Sequence, residues 1–263
     1  MRKIGINYGA KAGLSVEEYA ATVKALGFDA VFTGTPTREK SVALGEAFAK
    51  NGLAWETIHA PYKGINAIWF DDEAGVAMLR QLTDAVDACV MSGVPLLVVH
   101  LSSGLTPPPV TDAGRAHFAA LVEYAGAKNI RIAFENQRML GNIAWAFEAF
   151  ANAPHVGFCW DTGHENCFTP GRQYMPLFGS KLVCTHIHDN SGEFDHDEHL
   201  LPFDGKLDFS RAARQIRESG FEGTLMLEAI AANSHRYDDI GVEEYLARAA
   251  QAAKRLRCMV DEI

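Results

Sequence analysis

Along the chain, short apolar runs alternate with longer stretches of helical period. Eight runs rich in Val, Ile, Leu, Phe and Thr fall at Lys3–Tyr8, Ala30–Thr33, Ala54–His59, Leu96–Leu101, Arg131–Glu135, Val156–Asp161, Leu182–His188 and Thr224–Glu228. Near-continuous hydrophobicity is the mark of strands covered on both faces, as in parallel sheets. Between the runs the apolar positions recur every three or four residues. That predicts a helix opening at Ser15, then helices over Glu39–Lys50, Glu73–Met91, Thr111–Ala127, Asn142–Asn152, Phe209–Ser219 and Val242–Met259. Ser15-Val16-Glu17-Glu18 reads as a capping box, Ala20, Val23 and Leu26 share one face, and Gly27 closes the helix. Gly52, Gly93 and Gly220 stand where other helices should end. The stretch near Gln173–Phe178, after the sixth run, predicts only a short or irregular helix.

Eight strand–helix units without a break in composition point to a single (β/α)8 barrel, one α/β domain over residues 1–263. The units share no fixed sequence period, so the repetition is architectural. The two longest loops, around Thr106–Pro109 and over Asn190–Asp208, both follow strands.

Composition narrows the function classes. The chain is 48% hydrophobic and 22% charged, ordinary for a globular protein, and its formal net charge is −9. An acidic chain without a dense Lys/Arg run argues against nucleic acid as a partner. The five cysteines are scattered and form no Cys-x-x-Cys pair, which reads as reduced thiols. Cys89, Cys159 and Cys184 lie in apolar segments as small buried hydrophobes. The N-terminus lacks the pattern of a secretory signal, and runs such as Leu96–Val99 are far too short to span a bilayer. The expectation is a cytoplasmic protein without a membrane partner.

The ligand-type residues are not scattered. Of ten histidines, His59, His100, His164, His186 and His188 sit at predicted strand ends, and His196, His199 and His235 lie in loops after strands. Glu135, Asp161, Asp189, Asp197 and Glu228 join them. In a barrel these positions gather on the face where catalytic residues sit. Glu135, Asp161, His186 and Glu228 each close an apolar strand. Three carboxylates drawn together at a barrel mouth repel unless a divalent cation neutralises them, and such a donor set suits Mn, Mg, Co or Zn. The competing reading is that each pairs with Lys or Arg. His186 and His188, two apart, face one side, so that one could ligate while the other binds substrate; a satisfied core histidine is the alternative for His188. Asp197, His199 and His164 have the composition of an additional zinc site, to which His59 and His100 could add another; the alternative is that Asp195–His199 is a solvated polar loop. Ile68-Trp69-Phe70, in the loop after the third strand, reads either as a lid or interface, or as packing of the barrel rim.

Trp160-Asp161-Thr162-Gly163-His164, His186-Ile187-His188-Asp189-Asn190 and Asp197-Glu198-His199-Leu200-Leu201-Pro202, followed by Asp204-Gly205, resemble the xylose-isomerase-like TIM-barrel superfamily over nearly the whole chain. That superfamily holds sugar-phosphate isomerases and epimerases as well as the endonuclease IV type of abasic-site (AP) endonuclease. The resemblance implies that Glu135, Asp161, His186 and Glu228 share one metal. In the epimerase branch it implies that Glu135 and Glu228 are the catalytic acid–base pair. His164 and His188, with His59 and His100, are then substrate-binding. In the nuclease branch it implies that His59, His100, His164, Asp197 and His199 complete a three-zinc cluster. Leu201–Gly205 and Asp189-Asn190 look more like the sugar branch.

The expected function is therefore a divalent-metal-dependent isomerase or epimerase in carbohydrate metabolism. Its substrate would be a small sugar, sugar phosphate or keto-sugar, and the family suggests a homo-oligomer. The alternative is a zinc-dependent abasic-site phosphodiesterase. A barrel that binds without turnover is a third reading, weakened by the presence of both Glu135 and Glu228.

Overall fold

The computed structural model describes residues 1–262. Its strands are β1 (Ile4–Asn7), β2 (Ala30–Gly34), β3 (Ala54–His59), β4 (Leu96–His100), β5 (Arg131–Glu135), β6 (Val156–Asp161), β7 (Leu182–His186) and β8 (Leu225–Leu227). The helices are α1 (Val16–Ala25), α2 (Arg38–Lys50), α3 (Glu73–Ser92), α4 (Asp112–Ala127), α5 (Leu140–Ala149), α6 (Thr162–Phe168), α7 (Met175–Phe178), α8 (Phe209–Glu218) and α9 (Val242–Asp261). The eight strands form one sheet in the order β7-β6-β5-β4-β3-β2-β1-β8, and the fold is a TIM barrel. Among the described residues no helix is long and apolar enough to cross a membrane.

All eight expected strands are present, and the expected caps hold. Ser15 and Glu18 make the reciprocal capping box of α1, and Gly27, Gly52, Gly93 and Gly220 carry the positive φ that lets a helix end in a left-handed residue. Most boundaries shift by a residue or two, and three differences matter for the site or are larger. α5 opens and closes earlier than Asn142–Asn152. β7 stops at His186, because Ile187 bridges only to Leu227 and Asp189 turns to pair antiparallel with Leu200. α6 starts directly after β6 with no loop between.

The chain divides into two compact units interleaved along the sequence. One comprises Met1–Phe32, Ala43–Trp55 and the chain from Trp160 onward; the other comprises Thr33–Val42 and Glu56–Cys159. In the first, β1 pairs in parallel with β2 (Gly5 opposite Ala30) and with β8 (Gly5 opposite Met226). α9 packs on α1, α8 and β1 through buried Leu246, Ala249, Ala253 and Leu256. Small alanines on that face let the long helix lie close.

In the second unit, β3, β4, β5 and β6 pair in parallel in sequence, with His100 opposite Glu135 and Glu135 opposite Cys159. The Ile68-Trp69-Phe70 segment is packing, not a lid, at its first two residues. Ile68 and Trp69 are fully buried, and only Phe70 is half exposed. The Trp69 ring meets Phe118 and Trp145, and its Nε1 donates to Leu101 O at 2.8 Å. Gly114 on α4 makes room for it: a Cβ there would lie 1.9 Å from the indole. Such buried aromatics contribute about 3–5 kcal/mol each relative to alanine. Cys89, Cys159, Cys167 and Cys184 are buried cysteines, and Cys258 is an exposed one.

Candidate metal centre

In the first unit, Asp161 and His186 end β6 and β7, and Glu228 directly follows β8. One donor atom from each lies within 4.8 Å of the other two. Asp161 is fully buried and serves two elements at once. It ends a strand and, as N-cap of α6, its Oδ1 accepts the His164 N–H at 2.6 Å. His188 Nε2 lies 3.0 Å from Asp161 Oδ1. His186 is held by a ring stack on Phe32, 4.6 Å between centroids, and turns Nδ1 to Glu228 Oε2 at 3.3 Å.

A second group, His164, His188, Asp197 and His199, also converges within 4.8 Å. Asp197 Oδ2 is 3.3 Å from His164 Nε2 and 3.0 Å from His199 Nε2. Burial pushes the Asp197 carboxyl up, but the charge and hydrogen bond of His164 and the hydrogen bond of His199 outweigh it and hold it well below the usual range. For His199, burial favours the neutral ring, yet Asp197 and the further acidic neighbours Glu228 and Asp161 raise its pKa to about 9. The His188 and His199 rings stack 3.9 Å apart. His188 Nδ1 and Asp197 Oδ1 are buried with no hydrogen-bond partner among the described residues. The loop bearing Asp197 and His199 is therefore not merely solvated: His199 is buried and Asp197 largely so, while the neighbouring His196 is exposed. His235 is exposed too and stands apart, paired with Asp238.

The second unit has its own convergence. His59 Nε2 and His100 Nε2 lie 3.1 Å and 2.9 Å from the same oxygen, Glu135 Oε2, and 3.1 Å from each other. Gln137 Nε2 adds a contact to His100 Nε2 at 3.2 Å, and the exposed ring of Tyr62 packs edge-on against His59 and at a tilt against His100. Neither Gln137 nor Tyr62 stood out in the sequence. The signal for Tyr62 was its place in His59-Ala60-Pro61-Tyr62, just past a strand end. For Gln137 it was its position two residues after Glu135.

Residues 20–259 match the model of a protein family described as xylose isomerase-like TIM barrel. The chain belongs to this family. It is 34% identical over 206 residues to the uncharacterized protein y4fM of Sinorhizobium fredii, a match covering 72% of this chain and 62% of that protein. The chain thus matches less than two thirds of that relative's length. Among solved structures it resembles D-psicose 3-epimerase of Clostridium cellulolyticum H10, with a TM-score of 0.80, 14% identity and coverage of 98% and 99% of the two chains. It also resembles the 3-keto-D-glucoside 4-epimerase of E. coli, with a TM-score of 0.75, 19% identity and coverage of 98% and 99%. At these identities the likeness is one of fold.

Two ring orientations test whether the residues of this xylose isomerase-like barrel fit a metal. His59 Nδ1 faces the Ala60 carbonyl at 2.7 Å, and His199 Nδ1 faces the Glu228 carbonyl at 2.9 Å. A carbonyl accepts only, so each Nδ1 carries the proton. In the neutral ring the Nε2 lone pair then points at a carboxylate oxygen, of Glu135 for His59 and of Asp197 for His199. Two acceptors face to face need a cation between them, either a second proton or a metal ion. Donation of the other ring N–H to a backbone carbonyl is the usual support of a metal-bound histidine. The donor sets fit a divalent ion.

Proposed function

We propose that this barrel is a divalent-metal-dependent isomerase or epimerase of a small sugar, sugar phosphate or keto-sugar. The observation that carries the reading is the convergence of Asp161, His186 and Glu228 at the ends of three consecutive strands. In the proposal Glu135, at the end of β5, completes their set around one Mn, Mg, Co or Zn ion. The likeness in fold to sugar epimerases supports the substrate class.

When bound, the ion would neutralise the carboxylates and polarise a substrate carbonyl, which acidifies the neighbouring C–H. The chain's own residues do the rest. One of Glu228 and Glu135 takes the proton from carbon on one face, and the other returns one from the opposite face or at the next carbon. His59 and His100 meet at Glu135 Oε2 and fix the direction of that carboxylate. His164 and His188 provide imidazole nitrogens for substrate hydroxyls. A panel of ketoses incubated with the metal-supplemented protein in deuterium oxide tests this. The reading predicts deuterium at the carbon next to the carbonyl, and Glu228→Gln should abolish its entry. Undiminished exchange in that variant would remove Glu228 from the acid–base role.

A second reading, a zinc-dependent abasic-site phosphodiesterase, is favoured by one observation. Two histidines with Nδ1 on a carbonyl, His59 and His199, belong to donor groups beyond Asp161, His186 and Glu228. Three zinc ions would use all of these groups. The net charge of −9 weighs against a polyanionic substrate.

A further inference from the structure

We propose that Asp189 is the positioning residue that sets Asp197 and His199 in the centre, by fastening the loop between β7 and α8 at its start, middle and end. The inference rests on the reading that Asp197 and His199 serve the centre.

The loop needs fastening. Four non-glycine residues among those described have positive φ, and three of them lie here: Asp195 at 61°, His199 at 47° and Phe203 at 75°. Left-handed backbone is unfavourable for residues bearing a Cβ, and it persists only where surrounding contacts over-determine it. His199, a donor of the centre, is itself one of the three. A loop of this length would otherwise relax away from the mouth.

Asp189 supplies the contacts. It is fully buried, and among the described residues its carboxylate accepts from the loop's own backbone. Oδ1 accepts the Asn190 N–H at 2.8 Å and the Leu207 N–H at 2.9 Å, and Oδ2 accepts the Gly205 N–H at 2.8 Å. Its main chain pairs both ways with Leu200, at 2.9 Å and 2.8 Å. One residue thus gathers positions 190, 200, 205 and 207, and position 200 adjoins His199. Gly205 closes against it so tightly that a Cβ would lie 2.4 Å from both Asp189 Oδ1 and the Asn190 carbonyl. A second tie, Tyr237 Oη accepting from Leu201 N at 2.9 Å and donating to Asp204 at 2.8 Å, holds the middle of the loop but touches neither end.

Two variants test the role from opposite sides. Asp189→Asn presents an amide N–H₂ where an oxygen now accepts, so at least one loop bond is lost. Gly205→Ala leaves the carboxylate in place and wedges the loop off it. Each is compared with wild type and with His199→Ala in two measurements. The first is Zn²⁺ affinity by chelator competition; the second is amide hydrogen exchange over the whole chain. The expected result for both variants is exchange accelerated within residues 190–208 and unchanged in the strands. Loss of Zn²⁺ affinity by about 10- to 100-fold, the usual effect of losing a residue that orients a ligand, should affect only the ion that His199→Ala also loses. Wild-type affinity and wild-type exchange in both variants would overturn the proposal, as would faster exchange spread over the whole chain. Should His199→Ala leave Zn²⁺ binding untouched, the reading of Asp197 and His199 as metal donors falls instead. The exchange pattern of the loop then decides Asp189 by itself.

Discussion

His188 Nε2 stands 3.0 Å from Asp161 Oδ1 and 3.1 Å from Oδ2, with both side chains fully buried. A nitrogen so close to both oxygens donates to the carboxylate, which leaves Nδ1 for any other partner. His188 therefore orients Asp161, and any hydrogen bond to a substrate hydroxyl has to come through Nδ1. His188→Ala should weaken divalent-metal binding by about 10- to 100-fold while leaving the fold intact. Chelator competition with circular dichroism as a control checks this. Unchanged affinity would mean that Asp161 holds its direction without the histidine.

The α6 N-terminus shows why some of the site was legible in sequence and some was not. Asp161 could be read as a strand-end carboxylate because an apolar run stops on it. Its second duty, capping α6 through the His164 N–H, was hidden. Thr162-Gly163 is poor helix sequence, and the helix has only seven residues. All eight strands were visible, since buried parallel strands advertise themselves as unbroken apolar runs. The length of β7 was not, because the turn at Asp189 depends on backbone pairing with Leu200, eleven residues on. Trp69 looked exposed for the same kind of reason: the space that buries it is created by Gly114, on a different element. Glu135, Asp161, His186 and Glu228 share a single signal, an ionisable group closing an apolar run. Gln137 and Tyr62 lack it.

Gly114→Ala tests the packing of Trp69 directly. The added methyl would lie 1.9 Å from the indole, so the ring or α4 has to move. The expected cost is about 1–3 kcal/mol, read as a lower unfolding midpoint and altered tryptophan fluorescence. A variant as stable as wild type would mean that Trp69 has space to shift without cost.

The pair Arg2–Asp261 fastens the N-terminus to α9, with Nη1 and Oδ1 2.5 Å apart and a second bond from the Arg2 backbone N–H at 3.2 Å. Burial raises the Asp261 carboxyl, but the hydrogen bonds and charge of Arg2 together outweigh it, so the group sits below the ordinary carboxylate range. A depressed folded-state pKa gives stability that is fully present above the unfolded value and lost as pH falls through the folded one. Asp261→Asn should therefore cost a modest amount near neutrality, about 0.2–1 kcal/mol for a partly exposed pair. The gap to wild type should close between about pH 5 and about pH 2. Denaturant melts at several pH values measure it. A gap that persists at the acid end would assign the effect to packing.

The most direct test of the central claim is the metal content of the protein, by elemental analysis after purification without chelator and again after incubation with Mn²⁺, Co²⁺ or Zn²⁺. Asp161→Ala and His186→Ala serve as controls. The expected result is a divalent ion that both variants lose, with a second ion only where Asp197 and His199 also bind one. Three zinc ions per chain would move the assignment to the phosphodiesterase reading. A chain that takes up no divalent ion, or variants that keep it undiminished, would contradict the metal centre at Asp161, His186 and Glu228.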